Sequence, residues 1–505
     1  MLEPNSTVCF ILLIVLRGRS VVVITRIAND KLPGDLLLEI FDTYRRDMEL
    51  QPQYEDIWKR GDGSDGWLKL AHVCLYWRRV VFLSPSRLDV YLLITLRKFS
   101  KESESMLRCL PSIPIWFDYS APPCLAPAQL EKQVNLNLVL AIMEHRGRVR
   151  GISLRACQSR FFRELSQPFP ELKSFEIVHG STPDFDVILP ATFLSSFALS
   201  LRQITLQGVT SGSLFPLLSS AIGLVELSLT HRIGPKTPRA TSESLLANLQ
   251  CIMRMPCLRR LKLKWSYHET ATLPPPLPAS VLAGDIIPLS KLTDFIFEGP
   301  CPYLHMFVAR LAVPSLKHLD AKIFRGLPAY AAYPSIPPLC NWICETESQF
   351  IAVHFHYAPW PWSIDLSAET SPKSDHARPF RICFSKDVAL LEQIGTMLSE
   401  PLSTVEKVYV ERQEKRSPLR LGIPWHTFFK YLRQVKMVQL SCEEAIDVAH
   451  SFEQGGLLDL FPTLEQIKVT GRKRNSRYTN TFKPLMAARQ QVGRPVALSW
   501  VSLMG

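Results

Sequence analysis

The sequence predicts an α/β chain in which a small all-α module near the N-terminus is followed by a long, irregular α/β array. Three observations carry this. Two short amphipathic helical patterns lie between residues 31 and 88, separated by a polar interval. From about residue 147 onward a short phrase of alternating apolar residues recurs. The chain of 505 residues is 47% hydrophobic and 10% aromatic, which describes a folded protein and excludes a disordered tether. Its 39 prolines against 22 glycines predict many short elements separated by stiff turns.

Residues 1–28 form an apolar segment. Val8 to Leu16 is uninterrupted, and Val21 to Ile24 continues after Arg17-Gly18-Arg19-Ser20. The first run is shorter than the ~20 residues a bilayer span needs. The leader carries Glu3 and no early Lys or Arg, so it lacks the basic start of a signal peptide. A buried strand, or a start of the reading frame placed too far upstream, is expected here.

Residues 29–98 contain the densest motif. Leu32-Pro33-Gly34-Asp35-Leu36-Leu37-Leu38-Glu39-Ile40-Phe41 places a proline near the first helical position, with Leu36, Leu37, Ile40 and Phe41 at helical spacing. Farther on, Leu70, Val73, Cys74, Trp77 and Val81 fall on one helical face, and Pro85 stops the run. Thr43 to Gly66 is polar and ends in Gly61-Asp62-Gly63-Ser64-Asp65-Gly66, so it reads as a surface loop. Such an insertion costs little closure entropy. A unit this small has a marginal core, so part of its apolar surface is expected to meet another protein.

The ordered pair Leu-Pro-x-x-Leu-Leu-x-x-Ile-Phe at 32–41 and Leu-x-x-Val-Cys-x-x-Trp-Arg at 70–78, followed by Ser84-Pro85, resembles an F-box. The resemblance implies a Skp-type adaptor as partner and, through it, a cullin–RING ubiquitin ligase, with the rest of the chain selecting a protein substrate. It also implies that Leu32, Pro33, Leu36, Leu37, Ile40, Phe41, Leu70, Val73, Cys74 and Trp77 supply the adaptor-facing and module-core surface. Which of them face outward is not divisible from the sequence. The interval between the submotifs is longer than the family's usual connection and can hinder adaptor contact.

Leu88 to Leu96 is a short apolar run expected to pack back as a strand or to bridge onward, and 99–146 reads as a connecting region. The repeat domain is expected over 147–505. Its phrase is a small or proline residue, an apolar residue, two polar residues, then two apolar residues in alternation. It occurs at Val149–Leu154, Pro170–Ile177, Leu201–Leu206, Leu224–Leu229, Pro256–Leu263, Leu292–Phe297 and Pro314–Leu319. After a lapse between about 325 and 400 it resumes at Val405–Val410, Val435–Leu440 and Pro462–Val469, with Ile351–Phe355 and Phe380–Phe384 as two degenerate strands in the gap. Successive phrases lie roughly 23 to 34 residues apart, around and above the leucine-rich-repeat period. Each predicts one short strand of a parallel stack with its alternating apolar residues inward, and a helix or irregular turn returning the chain. Ala240 to Met255 is a good returning helix. No asparagine ladder is present. The whole resembles an F-box followed by an irregular leucine-rich-repeat-like α/β solenoid, with separate α/β pieces as the alternative architecture.

Several irregular inserts leave the array. These are Glu269–Asp285 with Leu273-Pro274-Pro275-Pro276-Leu277-Pro278, Gly326–Pro338, Ala358–Pro379 with Trp360-Pro361-Trp362, and the basic run Arg472–Arg477. No Gly-rich phosphate loop, Gly-x-Ser-x-Gly elbow or His-Glu-x-x-His occurs, so no catalytic residue and no cofactor are expected. Cys340, Cys344, His354 and His356 have donor types that zinc accepts, but the spacing matches no standard finger and core packing is the natural reading. Cys74 reads as a packed thiol on an apolar face. The 12 cysteines show no disulfide framework, which fits a reducing compartment.

A net charge of +12 favours acidic or phosphorylated partners, although it is spread along the chain. No nucleic acid and no membrane are expected, and the implied location is cytoplasmic or nuclear. The expected function is that of a non-catalytic substrate receptor. A repeat-type interaction scaffold outside ubiquitination is the alternative.

Overall fold

The computed structural model describes residues 12–16, 19–23, 32–49, 74–84, 92–95, 107–108, 111–120, 140, 142–155, 168–178, 189, 200–209, 214–233, 242–267, 286–324, 336–344, 352–357, 362–367, 380–384, 388–412, 425–442, 444–456, 458–471 and 480–502. They divide into two compact units. One holds Met1–Cys157 and Gln167–Ser174, the other Gln158–Ser166 and Phe175–Gly505.

In the first unit, β1 (Leu12–Leu16) and β2 (Arg19–Val23) pair antiparallel, with Leu16 opposite Arg19. Helices α1 (Gly34–Glu49) and α2 (Leu75–Leu83) follow. β3 (Leu92–Thr95), β4 (Ile115–Ser120) and β5 (Val149–Arg155) form a parallel ladder. Parallel strands therefore begin upstream of the first recurring phrase. β4 carries Ile115 and Phe117, which with the preceding Ile113 are fully buried, but it is entered from Pro114 with no phrase leucine ahead of it. Thr43 to Glu49, expected to open a surface loop, instead continue α1; the segment has no glycine or proline to stop it, and the Thr43 hydroxyl donates to the Glu39 carbonyl. Residues 50–73 of that interval lie outside the described residues, as do Glu269–Asp285 and Arg472–Arg477.

The second unit is a mixed α/β array with a large, mostly parallel sheet. Its strands are β6 (Ser174–Val178), β7 (Gln203–Gln207), β8 (Glu226–Ile233), β9 (Arg260–Tyr267), β11 (Asp294–Pro300), β13 (His318–Phe324), β14 (Ala352–Tyr357), β15 (Trp362–Ser367), β16 (Phe380–Phe384), β17 (Lys407–Arg412), β18 (Met437–Ser441), β19 (Gln466–Gly471) and β20 (Ala497–Ser502). A separate two-residue pair joins β10 (Ile287–Pro288) to β12 (Leu311–Ala312). The returning segments include α3 (Phe215–Ser220), α4 (Ser242–Met253), α5 (Cys301–Val308), α6 (Ile336–Cys344), α7 (Val388–Met397), α8 (Ser399–Ser403), α9 (His426–Phe429), α10 (Ala445–Gly455) and α11 (Lys483–Gln491).

The recurring phrase has a direct physical form. Phe169-Pro170-Glu171-Leu172, Met255-Pro256-Cys257-Leu258, Val313-Pro314-Ser315-Leu316 and Phe461-Pro462-Thr463-Leu464 are four-residue turns. In each, the leucine N–H donates to the first carbonyl at 3.0 to 3.2 Å. Proline presets the second turn position, and the leucine it delivers is buried. The next residues enter a strand whose inner side chains are buried and whose outer ones are not, as in β7, β11, β18 and β19. Burying such a Leu, Ile or Phe contributes about 1.5–3 kcal/mol. Backbone bonds tie successive strand entries together. Arg259 N–H donates to Val225 O, Thr293 N–H to Arg259 O and Lys317 N–H to Thr293 O, at 2.8 to 2.9 Å.

The order within this sheet is β6-β7-β8-β9-β11-β13-β16-β15-β14-β17-β18-β19-β20. β14, β15 and β16 form an antiparallel meander laid into the stack in reverse, with β16 parallel to β13 and β14 parallel to β17. The chain consequently crosses the sheet twice over the same region, through α6 into β14 and through α7 and α8 into β17. The Cys344 thiol donates to the Met397 carbonyl at 3.5 Å, joining the two crossovers. The strands expected at Ile351–Phe355 and Phe380–Phe384 are present as β14, from Ala352, and β16. The expected insert Ala358–Pro379 contains β15, and Gly326–Pro338 runs into α6. The alternation Trp362-Ser363-Ile364-Asp365-Leu366 decides the first, because Ile364 and Leu366 bury on the inner face.

Candidate functional site

Two places bring functional side chains together, one in each unit. The first is the α1–α2 pair. Leu37 N–H donates to Pro33 O, which starts α1 at Gly34. Leu37, Leu38 and Phe41 are buried against Trp77 and Val81, and the Phe41 and Trp77 rings meet edge to face with centroids 4.9 Å apart. The Tyr76 hydroxyl donates to Leu32 O at 3.0 Å, tying the start of α1 to α2. Leu32 and Ile40 are half-buried and Pro33 is exposed.

The expected surface is thus divided. Leu37, Phe41 and Trp77 are core, while Leu36 is 45% exposed. Leu75 and Leu83, outside the expected set, are 80% and 72% exposed, and with Leu36 they leave leucine surface uncovered in this unit. Cys74 is not a packed face residue. It caps the N-terminus of α2, its half-buried Sγ accepting from Trp77 N–H at 3.5 Å. Leu70 and Val73 lie outside the described residues.

The second place is the outer face of the sheet, where side chains alternate with the buried ones. Sheet register sets Ser228, Lys262, Ile296, Asp320, Arg381 and Asp365 in one row and Thr230, Lys264, Glu298 and Lys322 in the next. Asp365 is wholly buried and accepts a two-pronged contact from Arg381, with both bonds at 3.0 Å. Burial pushes the neighbouring Asp320 carboxyl up, opposed by Arg381 and Lys322. Lys264 pairs with Glu298 at 2.8 Å, and Arg260 with Glu226 at 3.1 Å. Burial, with Lys264 and Lys322 close by, holds Lys262 below its ordinary pKa against the pull of Glu298. Sequence reasoning did not single out these residues. The alternation Arg260-Leu261-Lys262-Leu263-Lys264 already put the lysines on the outer face, but the pairing of strands 34 residues apart was not readable.

Cys340 is buried on α6, which drives its thiol pKa up, and Cys344 is exposed on the same helix. Among the described residues, no group of three His, Cys, Asp or Glu could hold a metal ion. No helix among them is long and apolar enough to cross a membrane.

No protein-family model matches the chain. No curated protein matches it either. Among solved structures, the leucine-rich repeat-containing protein LegL7 from Legionella pneumophila is similar over 80% of this chain and 99% of its own, at 12% identity and a TM-score of 0.26.

Proposed function

We propose that this chain is a non-catalytic receptor that docks a Skp-type adaptor through α1–α2 and holds a protein partner on its leucine-rich-repeat-like array, as the substrate-recognition subunit of a cullin–RING ubiquitin ligase. The observation that carries the reading is the helix pair. It is closed internally by Phe41 and Trp77 yet leaves Leu36, Leu75 and Leu83 uncovered, as a module built to meet another protein would. The ordered motif of residues 32–41 and 70–85 supports the adaptor as that protein. The receptor's chemistry is positional: it raises the effective concentration of a target lysine near a ubiquitin-charged enzyme held elsewhere in the assembly.

The test is retention of adaptor and cullin on the intact chain as bait, beside Leu36→Ser/Leu75→Ser/Leu83→Ser. The substituted leucines are all exposed, so the variant keeps its core. Adaptor and cullin are expected on the parent and lost from the variant. Adaptor without cullin would favour a scaffold outside ubiquitination. Neither on the parent would defeat both readings.

A further inference from the structure

Consecutive strand entries of the second unit are bonded backbone to backbone, and this ladder sets a row of side chains along one rim of the sheet. Over β7, β8, β9, β11 and β13 its rungs are Arg202, Val225, Arg259, Thr293 and Lys317, each N–H donating to the carbonyl of the rung before at 2.8 to 2.9 Å. Every second rung is basic. Rungs stand about 4.8 Å apart, so positive charges recur at roughly 10 Å and the row spans about 19 Å. Two further bases join it: Arg254, just ahead of the turn that feeds β9, and Lys291, within the turn that feeds β11. The Arg202 guanidinium donates to Gly223 O at 2.6 Å, which lays it along the rim toward the β8 turn. All five bases are exposed, and none makes an ion pair among the described residues. The acids at these strand entries are Glu226 and Asp294. Arg260 takes Glu226, and Asp294 accepts from the Thr293 hydroxyl at 2.6 Å, so five cations without a counter-ion face one such carboxylate. The same ladder over β17 to β20 reads Glu406, Lys436, Glu465 and Ala497, and there Lys436 pairs with Glu406 at 2.6 Å. Excess positive charge is gathered on one stretch of rim.

We infer that this rim binds the phosphate backbone of a double-stranded nucleic acid without reading its sequence. This goes beyond the receptor reading and does not depend on it. The sequence alone gives no reason to expect a nucleic acid, because its basic residues are spread along the chain; the repeat collects them. A duplex presents a phosphate about every 3.4 Å of axis on each strand, so a row of about 19 Å meets roughly six phosphates of one strand. Three of the five bases are arginines, whose planar forks grip phosphate oxygens from two sides. A single strand is held by stacking its bases on aromatic rings, and the described rungs and turns of this rim include no aromatic residue. A bilayer surface needs apolar side chains to insert beside the bases; on the turns feeding these strands, Ile222 is the one large exposed apolar residue among those described. An acidic polypeptide shares the charge but not the phosphates.

The experiment is fluorescence anisotropy of a labelled DNA duplex of about 20 base pairs, in two unrelated sequences, against the full chain over a range of salt. Polyglutamate and vesicles of phosphatidylserine with phosphatidylcholine are the competing probes. Arg259→Gln/Lys291→Gln/Lys317→Gln removes three bases of the rim. Arg433→Gln/Lys436→Gln/Lys483→Gln removes three bases elsewhere in the same unit and leaves the same net charge. All six positions are exposed, so both variants keep their core, and thermal unfolding matched to the parent checks this. Both duplexes are expected to bind the parent alike, with log affinity falling against log salt at a slope of about −4.5. The rim variant should weaken about a hundredfold and its slope become shallower by about 2.7, while the control variant stays close to the parent. No binding by the folded parent, equal loss in the two variants, or tighter binding of polyglutamate or of the vesicles than of the duplex would each overturn the inference.

Discussion

At the scale of single residues, the buried polar groups of the second unit decide more than the surface ion pairs do. Arg489 of α11 is fully buried and donates to three consecutive carbonyls, Leu460 at 2.6 Å, Phe461 at 3.0 Å and Pro462 at 3.3 Å. These carbonyls belong to the turn that feeds β19, and Phe461 there adopts a φ of 52°, a conformation that a non-glycine residue keeps only when held. Arg489→Met should lower stability by about 3 kcal/mol in urea unfolding, because it strands several carbonyls at once; a loss below ~0.5 kcal/mol would contradict this role. Glu444, buried at the start of α10 with both oxygens lacking a partner, is raised from 4.5 to about 8 by burial, with Asp447 adding to the shift. The native chain keeps a proton there that the unfolded chain has released. This contribution therefore favours folding below about pH 4.5 and is lost as pH climbs toward 8. Glu444→Gln should be more stable than the parent at pH 8 and should show the smaller difference between pH 5 and pH 8. Gly299 is fixed by a close approach: a Cβ there would stand 2.6 Å from the Trp265 ring, which also packs on Tyr303 and stacks on His231. Gly299→Ala should cost about 1–3 kcal/mol of overpacking, read as a lower urea midpoint.

At the scale of elements, the helix pair and the reversed meander behave differently under substitution. Trp77→Ala should melt the α1–α2 pair through loss of the Phe41 contact and the core it closes, by about 3–5 kcal/mol. Leu83→Ser, at an exposed position, should leave unfolding within about 0.5 kcal/mol of the parent. Hydrogen exchange of α1 amides checks both. In the meander, Asp365→Ala removes the buried partner of Arg381, and the loss should be several-fold larger than for Glu406→Ala, whose bridge to Lys436 is exposed. Much of this level was legible in the sequence. The proline turns, the alternating strands and the α4 helix follow from local patterns, and the degenerate strands at 352–357 and 380–384 were recognisable from their apolar alternation. Strand β15 was hidden by the prolines and tryptophans around it. The reversed order β16-β15-β14 was not legible at all, since alternation fixes which face a residue takes and says nothing of its neighbour strand. Cys74 shows the same limit within one turn, because helical spacing alone does not distinguish a face residue from a cap.

For the molecule as a whole, the excess of basic residues is distributed along the sequence, and the outer face already pairs much of its charge internally. The proposed function divides labour between a docking helix pair and a partner-holding array. Its most direct test is calorimetric titration of a purified Skp-type adaptor into the full chain and into Leu36→Ser/Leu75→Ser/Leu83→Ser. A one-to-one complex with the parent is expected, with about a hundredfold loss of affinity in the variant and unchanged unfolding. No heat with a folded parent, or equal affinity in parent and variant, would contradict it.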